Sequence, residues 1–216
     1  MSRRILPSGR AALLVECDDL DDVLALHDAL DASAPDGLVE LVPAARTVLV
    51  AVDPRRLPLE SAASWIRRAS SSSTDASDRM DAAASAEPVV VRVRYDGEDL
   101  AAVAAELGLV VDDLVARHTA ARWRVAFIGF APGFAYLVGG SPTDWPFEVR
   151  RLAAPRTRVP AGAVGLAGGF SGAYPRESPG GWRLIGRTDA PLWDASAQPP
   201  ALLAPGTRVR FAAVGP

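Results

Sequence analysis

The sequence contains no lysine. All 23 basic residues are arginine, and that absence excludes several chemistries outright. The chain cannot form a lysine Schiff base, carry PLP or biotin on a lysine, or build a Walker A loop with its phosphate-binding lysine. A nucleotide used here must be held by arginines and backbone N–H groups, or by a partner chain. Cysteine is almost as scarce: Cys17 stands alone, so no intrachain disulfide can form. The only histidines, His27 and His118, share no metal-ligand spacing with it, which argues against a protein zinc site. No apolar run approaches the roughly 20 residues needed to cross a bilayer. Met1–Arg10 carries charge but lacks the apolar stretch and small-residue cleavage site of an export signal, so a cytoplasmic protein is the expectation. A net charge of −3 gives no pull toward nucleic acid or anionic membrane.

What is present is enough for a core. The chain has 216 residues, 49% of them hydrophobic, which suits one large domain or two small ones. It divides at the small, polar, aperiodic stretch from Ser70 to Ala86, read as a flexible linker over 70–86. Residues 1–69 read as a small α+β domain. Ala11–Val15 is a strand, Asp18 and Asp19 can cap a helix over Leu20–Leu30, and Pro35-Asp36-Gly37 is a turn. Leu38–Val42 and Thr47–Val52 read as strands, and Pro58 opens a second helix that buries Trp65 and Ile66. That order is ferredoxin-like in outline. His27 lies on the first helix and reads as structural.

Residues 87–216 have a different texture. Val89–Tyr95 is a strand, Asp99–Leu107 and Asp112–Ala120 are helices separated by Gly108, and Trp123–Ile128 is a strand. Of the 18 glycines, 11 then fall between Gly129 and Gly181. Short strands at Val164–Ala167, Arg183–Arg187 and Thr207–Ala213, broken by Gly/Pro turns, point to a barrel or sandwich. Within this stretch, Gly169-Phe170-Ser171-Gly172-Ala173 is one residue short of a hydrolase G-x-S-x-G elbow. Pro175 and the continuing glycines argue against the helix that an elbow needs. Ser171 then reads as a hydrogen-bonding or phosphate-contacting group. His118, at the end of the second helix, reads equally as a helix C-terminal histidine favoured by the dipole or as a site residue.

Three phrases concentrate aromatics, arginines and hydroxyls among glycines: Phe127 to Leu137, Ala154 to Val164, and Gly168 to Thr188. Barrel corners account for some of the glycines. They do not account for the side chains between them, which are those that binding loops carry.

The runs GFAPGFAYL, PRTRVPAGAV and SPGGWRLIGRT resemble the family called allophanate hydrolase subunit 1, also known as the 5-oxoprolinase B subunit, which includes the kinase inhibitor KipI. The resemblance covers nearly the whole chain. It implies a cyclophilin-like barrel behind a ferredoxin-like N-terminal domain. It also implies a partner of similar barrel fold, subunit 2, the 5-oxoprolinase C subunit. With a third protein, the A subunit, it implies ATP-dependent opening of 5-oxoproline to glutamate. ATP, with or without Mg2+, would be held here or largely by the partners. The same resemblance leaves two alternatives: a KipI-like regulator docking on a histidine kinase, or a carboxyltransferase or allophanate-hydrolase component of urea metabolism. Family members often read Gly-Gly-Gln-Thr-Gly where this chain has Gly168-Gly169-Phe170-Ser171-Gly172, so an amide able to read a substrate carbonyl is replaced by a ring.

On that resemblance, the expected roles are specific. His118 is the acid/base and Arg156 a catalytic anion contact, with Arg187 a second anion contact. Gly129, Gly133 and Gly162 let backbone N–H groups approach, while Phe130, Phe134, Tyr136 and Trp182 wall the pocket. Pro132, Pro160, Ser171, Tyr174 and Gly181 complete the expected substrate or ATP contacts.

Overall fold

The computed structural model describes residues 3–71, 87–141 and 143–215. The chain forms two compact units, Met1–Ala86 and Glu87–Pro216.

The first unit runs β1 (Arg4–Pro7), β2 (Ala12–Glu16), α1 (Leu20–Ala32), β3 (Leu38–Pro43), β4 (Thr47–Val52) and α2 (Leu59–Ser71). Its strands make one antiparallel sheet in the order β1-β2-β4-β3. Period-two alternation drives β4: Val48, Val50 and Val52 point inward and are buried. The helix α1 begins where Asp19 accepts a hydrogen bond from the backbone N–H of Asp22 at 2.9 Å. Its Val23, Leu26 and Leu30 pack with Trp65 and Ile66 of α2 in one core. Two differences from the sequence reading stand out. The charged N-terminal segment contributes β1, an edge strand whose Ile5 packs on the core. Ser70 and Ser71, read as the start of the linker, belong to α2, and residues 72–86 lie outside those described.

The second unit runs β5 (Val89–Val93), α3 (Leu100–Glu106), α4 (Val111–Ala120), β6 (Trp123–Ile128) and β7 (Ala135–Gly139). It continues with β8 (Arg156–Val159), β9 (Ala163–Ala167), β10 (Phe170–Ala173), β11 (Ser178–Gly180), β12 (Arg183–Arg187) and β13 (Arg208–Ala213). Seven strands form one sheet in the order β12-β9-β10-β7-β6-β13-β5, and β8 pairs with β11 as a separate ribbon. Among the described strands, only β13 and β5 run parallel.

The two edge strands of that sheet nearly meet, giving a barrel-like sheet. Arg94 and Arg187 exchange two backbone hydrogen bonds of 2.9 Å each, and Asp99 N–H bonds Leu184 O at 2.9 Å. Glycine makes this seam possible. A Cβ on Gly97 would sit 2.3 Å from Leu184 O, and one on Gly186 would sit 2.4 Å from Arg94 O. Inside lie Val91, Val93, Val125, Leu137, Leu166, Ile185 and Phe211, with Leu114 of α4 closing the cluster. Among the described residues, no helix is long and apolar enough to cross a membrane.

Candidate functional site

The turn between β6 and β7 carries, among the described residues, the one non-glycine at positive φ. Phe130 has φ +67, a left-handed backbone that a bulky L-residue adopts only when its surroundings impose it. The residue is nonetheless 58% exposed. The turn is fixed from both ends: Gly129 N–H bonds Phe134 O at 3.1 Å, and Phe134 N–H bonds Ala131 O at 2.9 Å. Gly133, also at positive φ, packs so closely on Leu192 and Trp193 that a Cβ would lie 2.8 Å from Trp193 Cβ.

Beneath Phe130 the expected aromatics do come together. Phe130 meets Phe134 edge to face at 5.4 Å, Phe134 meets Trp182 at 5.3 Å and Tyr174 at 5.0 Å, and Tyr136 meets Phe170 at 5.7 Å. Phe127 stacks on Tyr136 at 4.4 Å. Their positions divide the labour differently from expectation. Phe134, Tyr174 and Trp182 are buried, so they form a small second core rather than a pocket wall. The accessible rings are Phe130, Tyr136 and Phe170. A cation that the sequence reading missed stands close to Tyr136. The Arg151 guanidinium lies 5.9 Å over the Trp182 ring. Burial raises the pKa of Tyr136 and of Tyr174, and Arg151 pulls back against both shifts.

His118 occupies the last turn of α4, fully buried. Tyr95 Oη lies 2.7 Å from His118 Nδ1, and His118 Nε2 lies 2.9 Å from Ser171 Oγ. Phe211 stacks on the imidazole at 4.4 Å, and Trp123 and Trp145 lie 5.1 and 5.6 Å away. Burial pushes its pKa down to about 3, so the ring is neutral at physiological pH. The expectation of a substrate-facing acid/base is therefore corrected: this histidine has no exposed atom, and both ring nitrogens are engaged. Ser171 is equally buried, on β10. The strand there, with no helix after it, also rules out a nucleophile elbow.

The expected anion contacts separate. Arg156 is already neutralised: its Nε lies 2.8 Å from Glu98, and its Nη2 lies 3.0 Å from both carboxylate oxygens of the buried Asp99. Asp99 also accepts from the Leu184 backbone N–H at 2.7 Å, which makes this cluster a brace for the barrel seam. Arg187 lies on the outer face at that seam, 2.6 Å from Asp96. Pro132 and Pro160 are exposed on separate turns, and Gly181 is buried. Gly162 lies in the turn from β8 to β9 and bonds Thr188 and Tyr174 through its backbone. Among the described residues, no group of three or more His, Cys, Asp or Glu side chains could hold a metal ion.

Residues 3–203 match the family described as carboxyltransferase domain, subdomain C and D. The chain belongs to that family. It is 47% identical over 115 residues to the 5-oxoprolinase B subunit of Escherichia coli O157:H7, covering 53% of this chain and 51% of that one. It thus spans about half the length of that relative. A solved structure of a conserved uncharacterized protein from Pyrococcus horikoshii is 36% identical, covering 98% of this chain and 97% of that one at a TM-score of 0.55. The urea carboxylase of Kluyveromyces lactis shares the fold at a TM-score of 0.66 and 17% identity, over 99% of this chain and 22% of that one.

In this carboxyltransferase-domain chain, the exposed chemistry is therefore a shallow face: three rings and one guanidinium above a rigid aromatic core. Such a face can stack a small flat molecule and pair with its negative charge. Nothing on it supplies an accessible general base. Arg151 had one sequence signal available, its position just before the Ala154–Val164 phrase. Tyr95 had none, because its partner His118 is 23 residues away.

Proposed function

We propose that this chain is the B subunit of an ATP-dependent 5-oxoprolinase and shares its active site with a C subunit, with an A subunit completing the complex. The observation that carries the reading is Phe130. A strained, 58%-exposed aromatic on a braced turn is maintained against its backbone cost, and it is joined ring to ring with the core over which Arg151 lies. The similarity to the 5-oxoprolinase B subunit supplies the substrate class. 5-Oxoproline is a small flat lactam with one carboxylate. Phe130, Tyr136 and Phe170 offer it rings, and Arg151 offers the carboxylate a cation.

Ring opening is coupled to ATP hydrolysis in this reading, with water and 5-oxoproline giving glutamate. The residues of this chain would bind and orient the lactam and exclude water from one side. Arg151 also suits a phosphate, so ATP could share its charge, while any proton transfer and most nucleotide contacts would come from the partners. His118 and Tyr95 act indirectly, holding β10 and hence Phe170 in place. The face is open on this chain, which supports a site completed by another protein and inactivity of the isolated chain. In the same reading, the second unit is a cyclophilin-like barrel. The first is ferredoxin-like, and its β2-α1-β3-β4-α2 order is the supporting feature.

The test is copurification with the C and A subunits, followed by assays of ATP hydrolysis stimulated by 5-oxoproline, urea or allophanate. Stimulation by 5-oxoproline alone is expected, with Arg151→Ala and Phe130→Ala each reducing kcat/KM at least roughly tenfold. Stimulation by urea or allophanate instead, or full activity in both variants, would overturn the assignment.

A further inference from the structure

The barrel seam stops short of its end. Beyond the Arg94–Arg187 pair the chain leaving β12 turns away, and Thr188 N–H bonds Gly162 O at 2.8 Å instead. The edge of β5 is left open. Val214 N–H bonds Val93 O at 2.9 Å, so the main-chain groups of Val93 and Val91 address β13. Those of Arg92 and Val90 alternate to the opposite side, the side on which Arg94 meets Arg187. Along that edge runs a groove of about 700 Å³. Val90, Leu202 and Val214 line it and are 44%, 36% and 38% exposed.

The groove is also cationic. Arg92, Arg94 and Arg187 line it. Arg94 and Arg187 are directly opposed across the seam, an arrangement in which like charges repel. Asp96 answers Arg187 at 2.6 Å. Among the described residues, no ion pair reaches Arg92 or Arg94, and Arg94 Nε is buried without a hydrogen-bond partner. Asp189, at the rim, is the groove's own carboxylate.

We propose that this groove receives an extended acidic segment of a partner protein, added as a strand to the edge of β5. Its backbone would pair with Val90 and Arg92, and carboxylates at alternate positions would meet Arg92 and Arg94. The charge and the edge together select this occupant. A small anion would answer the arginines but leave the edge and the apolar flank open. A purely apolar strand would leave Arg94 unanswered, and a basic one would be repelled.

The full chain is titrated with a fluorescein-labelled peptide of alternating glutamate and valine, read by anisotropy and by hydrogen exchange. Saturable, salt-sensitive binding with new protection of the Arg92 amide is expected, and a lysine–valine peptide is expected not to bind. The exposed Arg92→Ser should weaken binding roughly tenfold. Val90→Pro keeps every arginine and removes one edge donor, and it should weaken binding comparably. Thermal melts check that both variants fold; if Val90→Pro does not, amide protection in the native chain decides the strand pairing. Absence of saturable binding overturns the proposal, as does binding unchanged by Arg92→Ser. Displacement of the peptide by pyrophosphate with no protection at Arg92 would show a simple anion site and overturn strand addition.

Discussion

His118 Nε2 lies 2.9 Å from Ser171 Oγ, and that contact ties the last turn of α4 to β10. With Tyr95 on the other nitrogen, the imidazole has two consistent arrangements. Either Tyr95 donates to Nδ1 and Nε2–H donates to Ser171, or Nδ1–H donates to Tyr95 and Ser171 donates to Nε2. Each satisfies every polar atom of the ring without charge. Protonation removes the ring acceptor that each arrangement uses, so the hydroxyl that donated must turn to accept, and the charge itself is left buried.

This gives a pH dependence with a definite sign. The folded-state pKa of His118 is lowered from 6.5 to about 3 by burial. Below about 6.5 the unfolded chain takes up a proton that the folded chain refuses until about 3, so stability falls as pH falls through that window. The contribution is roughly 1 kcal/mol per pH unit. Urea unfolding from pH 7 to pH 4 should show it, and His118→Gln should remove that part of the slope. An unchanged slope in the variant would show that other groups set it.

The Asp99 cluster predicts an unequal pair of substitutions. Asp99 holds Arg156 and also accepts from Leu184 N–H on β12, so its loss frees a buried N–H and a half-buried guanidinium together. Asp99→Ala should cost about 3 kcal/mol, and Arg156→Ala about 2 kcal/mol or less. Chemical denaturation measures both. If Arg156→Ala left stability untouched and abolished activity of the proposed complex, Arg156 would regain the anion-binding role expected from sequence.

The sequence made the regular elements legible where periodicity was strong. Thr47–Val52 and Trp123–Ile128 are strands with the bounds their alternation predicts. It was weaker where glycine replaced pattern: β7, β8, β10 and β11 lie in the Gly/Pro-rich stretch, and their pairing rests on neighbours rather than on their own residues. The site followed the same rule. The aromatic phrases identified the right surface, but not which rings would be covered. Arg156 and Arg187 looked like free cations because their answering carboxylates, Asp99 and Asp96, are 57 and 91 positions away in the chain, by subtraction of their numbers.

Phe130 separates backbone strain from ring function. Glycine accepts φ +67 without a Cβ penalty, whereas alanine keeps the penalty and loses the ring. Phe130→Gly should therefore be more stable than Phe130→Ala by roughly 1 kcal/mol, measured by thermal or urea unfolding. Both should lose the same activity in the proposed complex, because both lack the exposed ring. Equal stability of the two variants would mean that the turn relaxes out of the left-handed conformation once the ring is gone.

Gly133 tests whether the turn must stay seated on the chain around Leu192. An added Cβ would lie 2.8 Å from Trp193 Cβ and 2.9 Å from Leu192 O, and the residue has φ +80. Neither neighbour is the flexible end of a side chain, so Gly133→Ala must move one backbone segment away from the other. A cost of about 2 kcal/mol is expected from strain and lost packing. The displacement would carry Phe130 with it, since Ala131 O and Phe134 N–H close the same turn at 2.9 Å. Activity of the proposed complex should then fall even where the variant remains folded, with KM rising more than kcat falls, as for a misplaced binding surface. A variant that is destabilised but fully active would uncouple the seating of this turn from the candidate site.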